Sequence, residues 1–237
     1  MTEKHLICSL ELKFYNKNIM EDLSHYRRSY EKSELLESNI PEDPINLFHR
    51  WFHETEDFGG PNASGEEVNA MTVSTIGLDG FPKARVVLLK KYNEEGFIFY
   101  TNYNSEKGKA IEQNPHVCLS FFWHNTERQV IIKGIAEKTS EIISDNYFDS
   151  RPEGSKLGAV VSNQSEVIPS RDFLEENLKQ LESEFESMVI PRPKHWGGYL
   201  VRPVEVEFWQ GRANRLHDRI RYSVQEDYSW KKERLSP

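Results

Sequence analysis

The feature that most constrains this chain is a change of period at Ala70. From there to residue 138, apolar side chains recur at every second position, as strands require. "AMTVSTI" (70–76) turns at Leu78-Asp79-Gly80 into "KARVVLLK" (83–90), and Asn93-Glu94-Glu95-Gly96 turns into "FIFYT" (97–101). "HVCLSFFW" (116–123) joins "RQVIIKGIAEK" (128–138) through His124-Asn125-Thr126-Glu127. A parallel pair needs a crossover of about a dozen residues or more, and most of these links are too short for one. One helix interrupts the series, capped by Ser105, running through Glu112 and stopped at Asn114-Pro115. Five strands joined in this way imply an antiparallel barrel.

Helices and further strands flank that unit. Asp43 caps and Pro44 opens a helix whose Ile45, Leu47, Phe48, Trp51 and Phe52 share a face, ending before a loop at 59–65. Residues 140–150 form a second helix, and Ser170 caps a third reaching Met188, lined by Phe173, Leu174, Leu178, Leu181 and Phe185. Residues 190–198 read as a link, 199–211 as a strand, and 219–224 with 228–235 as a closing hairpin. Residues 1–40 are polar and without period. They read as a mobile arm, with Met20 a candidate start, ahead of a single mainly β domain with peripheral α-helices over 41–237.

Thirty Lys+Arg against 38 Asp+Glu give a net charge of −8, which argues against a globally basic nucleic-acid binder. Aromatic residues at 12 % argue against a disordered chain. No apolar run nears the roughly 18 residues a membrane span needs. Cys8 and Cys118 make no disulfide framework, so a cytoplasmic compartment is expected, with Cys118 a small buried apolar side chain. The eight histidines show no metal pattern, His49 and His53 lacking a third ligand, and no Gly-rich phosphate loop or nucleophile elbow is present.

An acidic chain that sets Arg and Lys beside apolar strands raises the question of which anion they serve. Arg85 and Lys90 bracket a strand, where snorkelling strand-end charges are the plainer reading. Tyr147 and Arg151, four apart on a helix, share a face, and Ser155 and Gly158 follow in a turn after Pro152. Together they suit a phosphate dianion, although an ordinary helix-end arginine beside an exposed tyrosine fits the spacing equally well. Trp209 precedes Arg212, Arg215, His217, Arg219 and Arg221, within a stretch (192–237) of ten Lys/Arg against six Asp/Glu. A ring beside cations suits a planar anionic cofactor. A basic edge strand is the alternative.

In their order, these clusters resemble the pyridoxamine 5′-phosphate oxidase family. The resemblance runs from about Tyr26 to Pro237. It is carried by "RRSY" (27–30), "PEDP" (41–44), "RVVLLK" (85–90), "FYTN" (99–102), "ERQV" (127–130), "YFDSRPEGSKLGA" (147–159), "VSNQS" (161–165), "HWGGY" (195–199), "EFWQG" (207–211), "RLHDR" (215–219) and the terminal "RLSP". It implies an FMN-binding split β-barrel, a homodimer with FMN at the subunit interface, and oxidation of pyridoxine or pyridoxamine 5′-phosphate to pyridoxal 5′-phosphate by molecular oxygen. By resemblance, Arg85, Tyr100, Thr101, Lys107, Gln129, Trp209 and Arg219 hold FMN, with Gln164 and Ser165 reaching it from the partner subunit. Lys90, Tyr147, Arg151 and Ser155 match the substrate-phosphate receptor. Arg215 and His217 match catalytic residues over the substrate ring, and Arg27 and Tyr30 match a mobile lid.

One departure stands out: Glu106 occupies a position where the family commonly has arginine, which is expected to weaken FMN retention modestly unless Glu106 turns outward or Lys109 compensates. The readings in competition with an oxidase are another flavin-binding split-barrel protein, a non-catalytic pyridoxal-phosphate carrier, and a nucleic-acid module on residues 212–221.

Overall fold

The structure, a computed structural model, describes residues 20–58 and 67–237. The loop expected at 59–65 and the arm before Met20 lie outside them.

The Asp43 carboxylate accepts the Ile45 N–H at 2.7 Å and Pro44 needs no partner, which starts α1 (Pro44–Asp57). β1 (Ala70–Ile76), β2 (Pro82–Leu88), β3 (Lys91–Asn93) and β4 (Gly96–Asn102) follow. The Ser105 hydroxyl then accepts the Gly108 N–H and opens α2 (Glu106–Gln113). β5 (His116–Trp123) and β6 (Arg128–Lys138) lead to three helices: α3 (Glu141–Asp149), α4 (Glu153–Val161) and α5 (Arg171–Glu184). β7 (Trp196–Gln210), β8 (Asp218–Val224) and β9 (Trp230–Leu235) close the chain.

All pairings are antiparallel, in the order β2-β1-β5-β6-β7-β4-β3, with β8 and β9 branching from β7. The branch follows from the length of β7: residues 196–201 pair with β4 and residues 205–210 with β8. Between the two halves, a register shift in β6 at Lys133/Gly134 and Pro203 on β7 bend the ladder. The sheet curls until β2 approaches β4, leaving an open seam in the barrel.

Strand alternation fills the interior. Val117, Leu119, Phe121 and Trp123 of β5 point inward, where Phe48 from α1 lies 5.0–5.9 Å from the rings of Tyr92, Phe97, Phe121 and Trp123. Each such burial is worth roughly 1.5–3 kcal/mol. Cys118 takes the other face and is only half-buried, which corrects its expected burial.

Several segments depart from the sequence reading, among them the helix expected to reach Met188, which stops at Glu184. The turn expected after Pro152 is a helix, α4, whose Gly154 and Gly158 disguise it. Tyr147 and Arg151 do not share one helix face, since α3 ends at Asp149 and Arg151 sits in the link. β7 begins at Trp196 rather than 199. Its glycines read as a break, yet a Cβ on Gly197 would collide with the Tyr103 hydroxyl. Upstream, the chain is tied to the barrel well before residue 41: Leu35 is buried in the main core, and Arg234 binds Glu37.

Candidate active site

The barrel seam holds a cavity of about 470 Å³. β2 and β4 form its walls through Val86–Leu88 and Tyr100–Asn102, while α2, α3 and α4 supply Lys107, Tyr147 and Ser155. Ser155, Gly158, Ala159 and Ser162 line it at helical spacing, so the small side chains of α4 and the residue that follows it face the space. Lys107 is 7 % exposed, and its Nζ donates to Thr101 Oγ1 at 3.0 Å and Gln164 Oε1 at 3.1 Å. Burial first, then neighbouring Arg85, pushes the ammonium down to about 8. Arg85 itself is held by Thr75 Oγ1 (2.8 Å) and the Val73 carbonyl. Arg85 and Lys107 are thus adjacent cations that repel one another, and the Glu106 carboxylate offsets this in part.

A second cationic group faces the same cavity. The Arg151 guanidinium lies 4.6 Å over the Trp196 ring, and its buried Nη1 has no acceptor. Tyr100 stacks on Tyr147 at 3.9 Å and on Trp196 at 5.6 Å, a layer of three rings. The Tyr100 hydroxyl is likewise buried without a partner, and burial pushes it up to about 12, which keeps it a neutral donor. Lys90 and Ser155 complete the lining. Buried donors left without acceptors are costly in a finished fold, and here they converge on one space. Their chemistry fits phosphate oxygens. Trp196 went unassigned in the sequence reading, although "HWGGY" contained it; nothing in its spacing shows that it stacks.

The remaining candidates gather elsewhere. His217 lies 4.6 Å from Trp209, and Tyr30 sits edge-on to Trp209 at 5.7 Å. The Arg212 N–H donates to His217 Nδ1 at 3.1 Å, which places the imidazole proton on Nε2. Burial and then Arg215 lower the His217 pKa, so the ring is a neutral Nε2–H donor. Arg27, Tyr30, Arg215 and His217 line a space of about 780 Å³. Of the basic run, Arg212, Arg219 and Arg221 pair with Asp218, Glu207 and Glu233; Arg215 alone has no carboxylate partner among the described residues. Arg27, Arg50, Arg85, Arg151 and Arg215 are the arginines without such a partner there, and four of these five are site candidates.

Trp196 and Trp209 mark the two groups, thirteen residues apart on β7, which at strand rise is about 40 Å. Gln129 pairs in register with Trp209, at the far end from Lys107. Gln164 meets Lys107 within its own chain, and Ser165 stands exposed beside it with φ 79°. Glu106 turns outward to Lys83, an exposed pair beside the cavity rather than in it. An exposed charge is strongly screened, so Glu106→Arg is expected to tighten the binding of a phosphate ester in this cavity by no more than about threefold at physiological salt. A tenfold gain in a fluorescence titration would show that Glu106 acts on the site directly.

Among the described residues no helix is long and apolar enough to cross a membrane, and no group of three ligands suits a metal ion. The family profile described as pyridoxamine 5′-phosphate oxidase matches residues 63–184, and that described as the pyridoxine 5′-phosphate oxidase C-terminal dimerisation region matches 196–237. The pyridoxine/pyridoxamine 5′-phosphate oxidase of Flavobacterium johnsoniae is 82 % identical over 92 % of this chain and 100 % of its own. The oxidase of the same name from Salinibacter ruber is 50 % identical over 92 % and 100 %. Among solved structures, PhzG from Burkholderia lata, in complex with tetrahydrophenazine-1-carboxylic acid, superposes with a TM-score of 0.77 at 28 % identity, covering 86 % of this chain and 98 % of that one. An FMN-binding protein from Nostoc punctiforme shares the fold, with a TM-score of 0.63 at 16 % identity over 81 % and 96 %. By profile, sequence and fold alike, the chain belongs to the pyridoxine/pyridoxamine 5′-phosphate oxidase family.

Proposed function

We propose that the protein is an FMN-dependent oxidase converting pyridoxine 5′-phosphate or pyridoxamine 5′-phosphate to pyridoxal 5′-phosphate, with oxygen reduced to hydrogen peroxide and ammonia released from the amine. The observation that carries this is the placing of Lys107 and the pair Lys90/Arg151 on one cavity, with Arg85 adjacent to Lys107 and the Arg151 Nη1 buried without an acceptor. One set suits the FMN phosphate and the other the substrate ester. Bound FMN supplies the two-electron acceptor for oxidation at C4′. Lys107 and Thr101 anchor its phosphate, while Arg151, Lys90, Tyr147 and Ser155 fix the substrate's phosphate and hence the distance of C4′ from the flavin.

The second group lies too far along β7 to serve the same cavity within one chain. The site is therefore shared in a homodimer, in keeping with the dimerisation region matched at 196–237. Trp209 and Arg219 bound the flavin ring from the partner side, with Gln164 and Ser165 at the shared boundary. Arg215 and His217 cover the substrate ring, His217 donating from Nε2. Protein purified yellow that consumes oxygen and forms an aldehyde from pyridoxine 5′-phosphate supports the reading. A colourless chain that ignores added FMN rules it out. Arg215→Leu is expected to lower kcat/KM at least tenfold while flavin content stays within twofold; a parallel fall in both makes Arg215 a cofactor ligand instead.

A further inference from the structure

Glu127 is a buried carboxylate that the proposed chemistry does not use. It is 2 % exposed and holds φ at 56°, an unfavourable conformation for a glutamate at the β5–β6 turn. Its Oε2 accepts the backbone N–H of Glu31 at 2.8 Å and of Lys32 at 3.1 Å. Its own carbonyl accepts the Gly211 N–H at 2.8 Å and Gln210 Nε2 at 3.2 Å. One residue thus ties the N-terminal segment, the β5–β6 turn and the end of β7 together. Gly211 completes the fit: a Cβ there would stand 2.7 Å from the Cβ of Tyr30, so the segment lies directly on the chain leaving β7. Tyr30, held between these points, meets Trp209 and His217.

We propose that Glu127 is a positioning residue, a latch that fixes the arm at Glu31–Lys32 and so makes Tyr30 a standing wall of the substrate pocket. Arg28, just ahead of Tyr30, meets the same latch, with its guanidinium 3.9 Å from Glu127 Oε1 and 2.7 Å from His124 Nε2. The pocket half of the proposal rests on the function proposed above, but the latch half does not.

Three full-length variants test it: Glu127→Ala, Glu127→Gln and Gly211→Ala. The glutamine keeps one carbonyl acceptor for the two N–H groups, and the alanine at 211 pushes Tyr30 away while leaving the Glu127 carboxylate in place. Limited trypsin digestion at Arg27, Arg28 and Lys32 reads the latch without any turnover. Glu127→Ala and Gly211→Ala are expected to speed this cleavage tenfold or more, with Glu127→Gln in between. Both are expected to raise KM for pyridoxine 5′-phosphate at least fivefold, with kcat and flavin content within twofold. Unchanged cleavage in Glu127→Ala overturns the latch. Faster cleavage with unchanged KM overturns the pocket role of Tyr30. A protein that does not turn over this ester still gives the cleavage result, so failure of the functional reading is told apart from failure of the latch.

Discussion

Replacing Arg151 with leucine is expected to raise KM for pyridoxine 5′-phosphate by about two orders of magnitude while bound flavin stays within twofold. Hydrogen bonds to a charged partner are worth about 1.5–3 kcal/mol each, and a guanidinium gripping a phosphate through two of them supplies about 3 kcal/mol or more. In the free protein that guanidinium is poorly served: its Nη1 is buried without an acceptor, and Trp196 and Phe148 are its ring neighbours. The ligand-free leucine variant should accordingly melt at the same temperature as the parent or higher, since a buried donor without an acceptor costs stability. Reduced affinity together with undiminished Tm marks a binding residue. A variant that melts several degrees lower would mean that Arg151 holds the link between α3 and α4 instead.

Lys107→Met should strip the protein of FMN, with a rise in Kd of about a hundredfold, because it removes a buried cation held by Thr101 and Gln164. The pH dependence is sharper still. In the free chain Lys107 loses its proton around pH 8, and a phosphate dianion favours the protonated form. FMN affinity should therefore be flat from about pH 7, where the phosphate is already the dianion, to about pH 8 and fall above it, by up to tenfold per pH unit. Lys107→Arg, which keeps its charge, should abolish that fall. The stability of the flavin-free chain has the opposite slope. The folded pKa of about 8 lies below the ordinary lysine value of 10.5, so between them the unfolded chain binds more protons and stability rises with pH. The cost of burying the charge is fully present below about pH 8. Apo stability and FMN affinity moving in the same direction through this window would remove Lys107 from the phosphate site.

Local physics made much of the fold legible. Asp43-Pro44, Ser105, Ser140 and Ser170 each cap the helix that the pattern led one to expect, and period-two alternation located the long strands. What stayed hidden depends on neighbours distant in sequence. Gly154 and Gly158 break a helix by propensity, yet α4 forms and sets small residues toward a cavity. Gly197 looks like a loop residue until Tyr103 is seen beside it. The arm is polar enough to read as free, and only the fold shows Glu127 accepting its backbone. Spacing could suggest that Tyr147, Arg151 and Ser155 converge, but only the structure shows Arg151 without an acceptor or Trp196 beneath it. Arg212, Arg219 and Arg221 read as a basic patch in the sequence because their carboxylate partners Asp218, Glu207 and Glu233 are brought in by strand pairing.

The most direct test of a site divided between two chains is complementation. Arg151→Leu disables the seam cavity and Arg215→Leu the group near Trp209, so each homodimer should be nearly inactive at low substrate. When the two chains are mixed at random, half of the dimers carry one of each, and in each of these one site draws both intact halves. Activity should then return to about a quarter of the parent level. Mixed dimers as inactive as either homodimer would show that both halves come from the same chain, and the shared site would have to be abandoned.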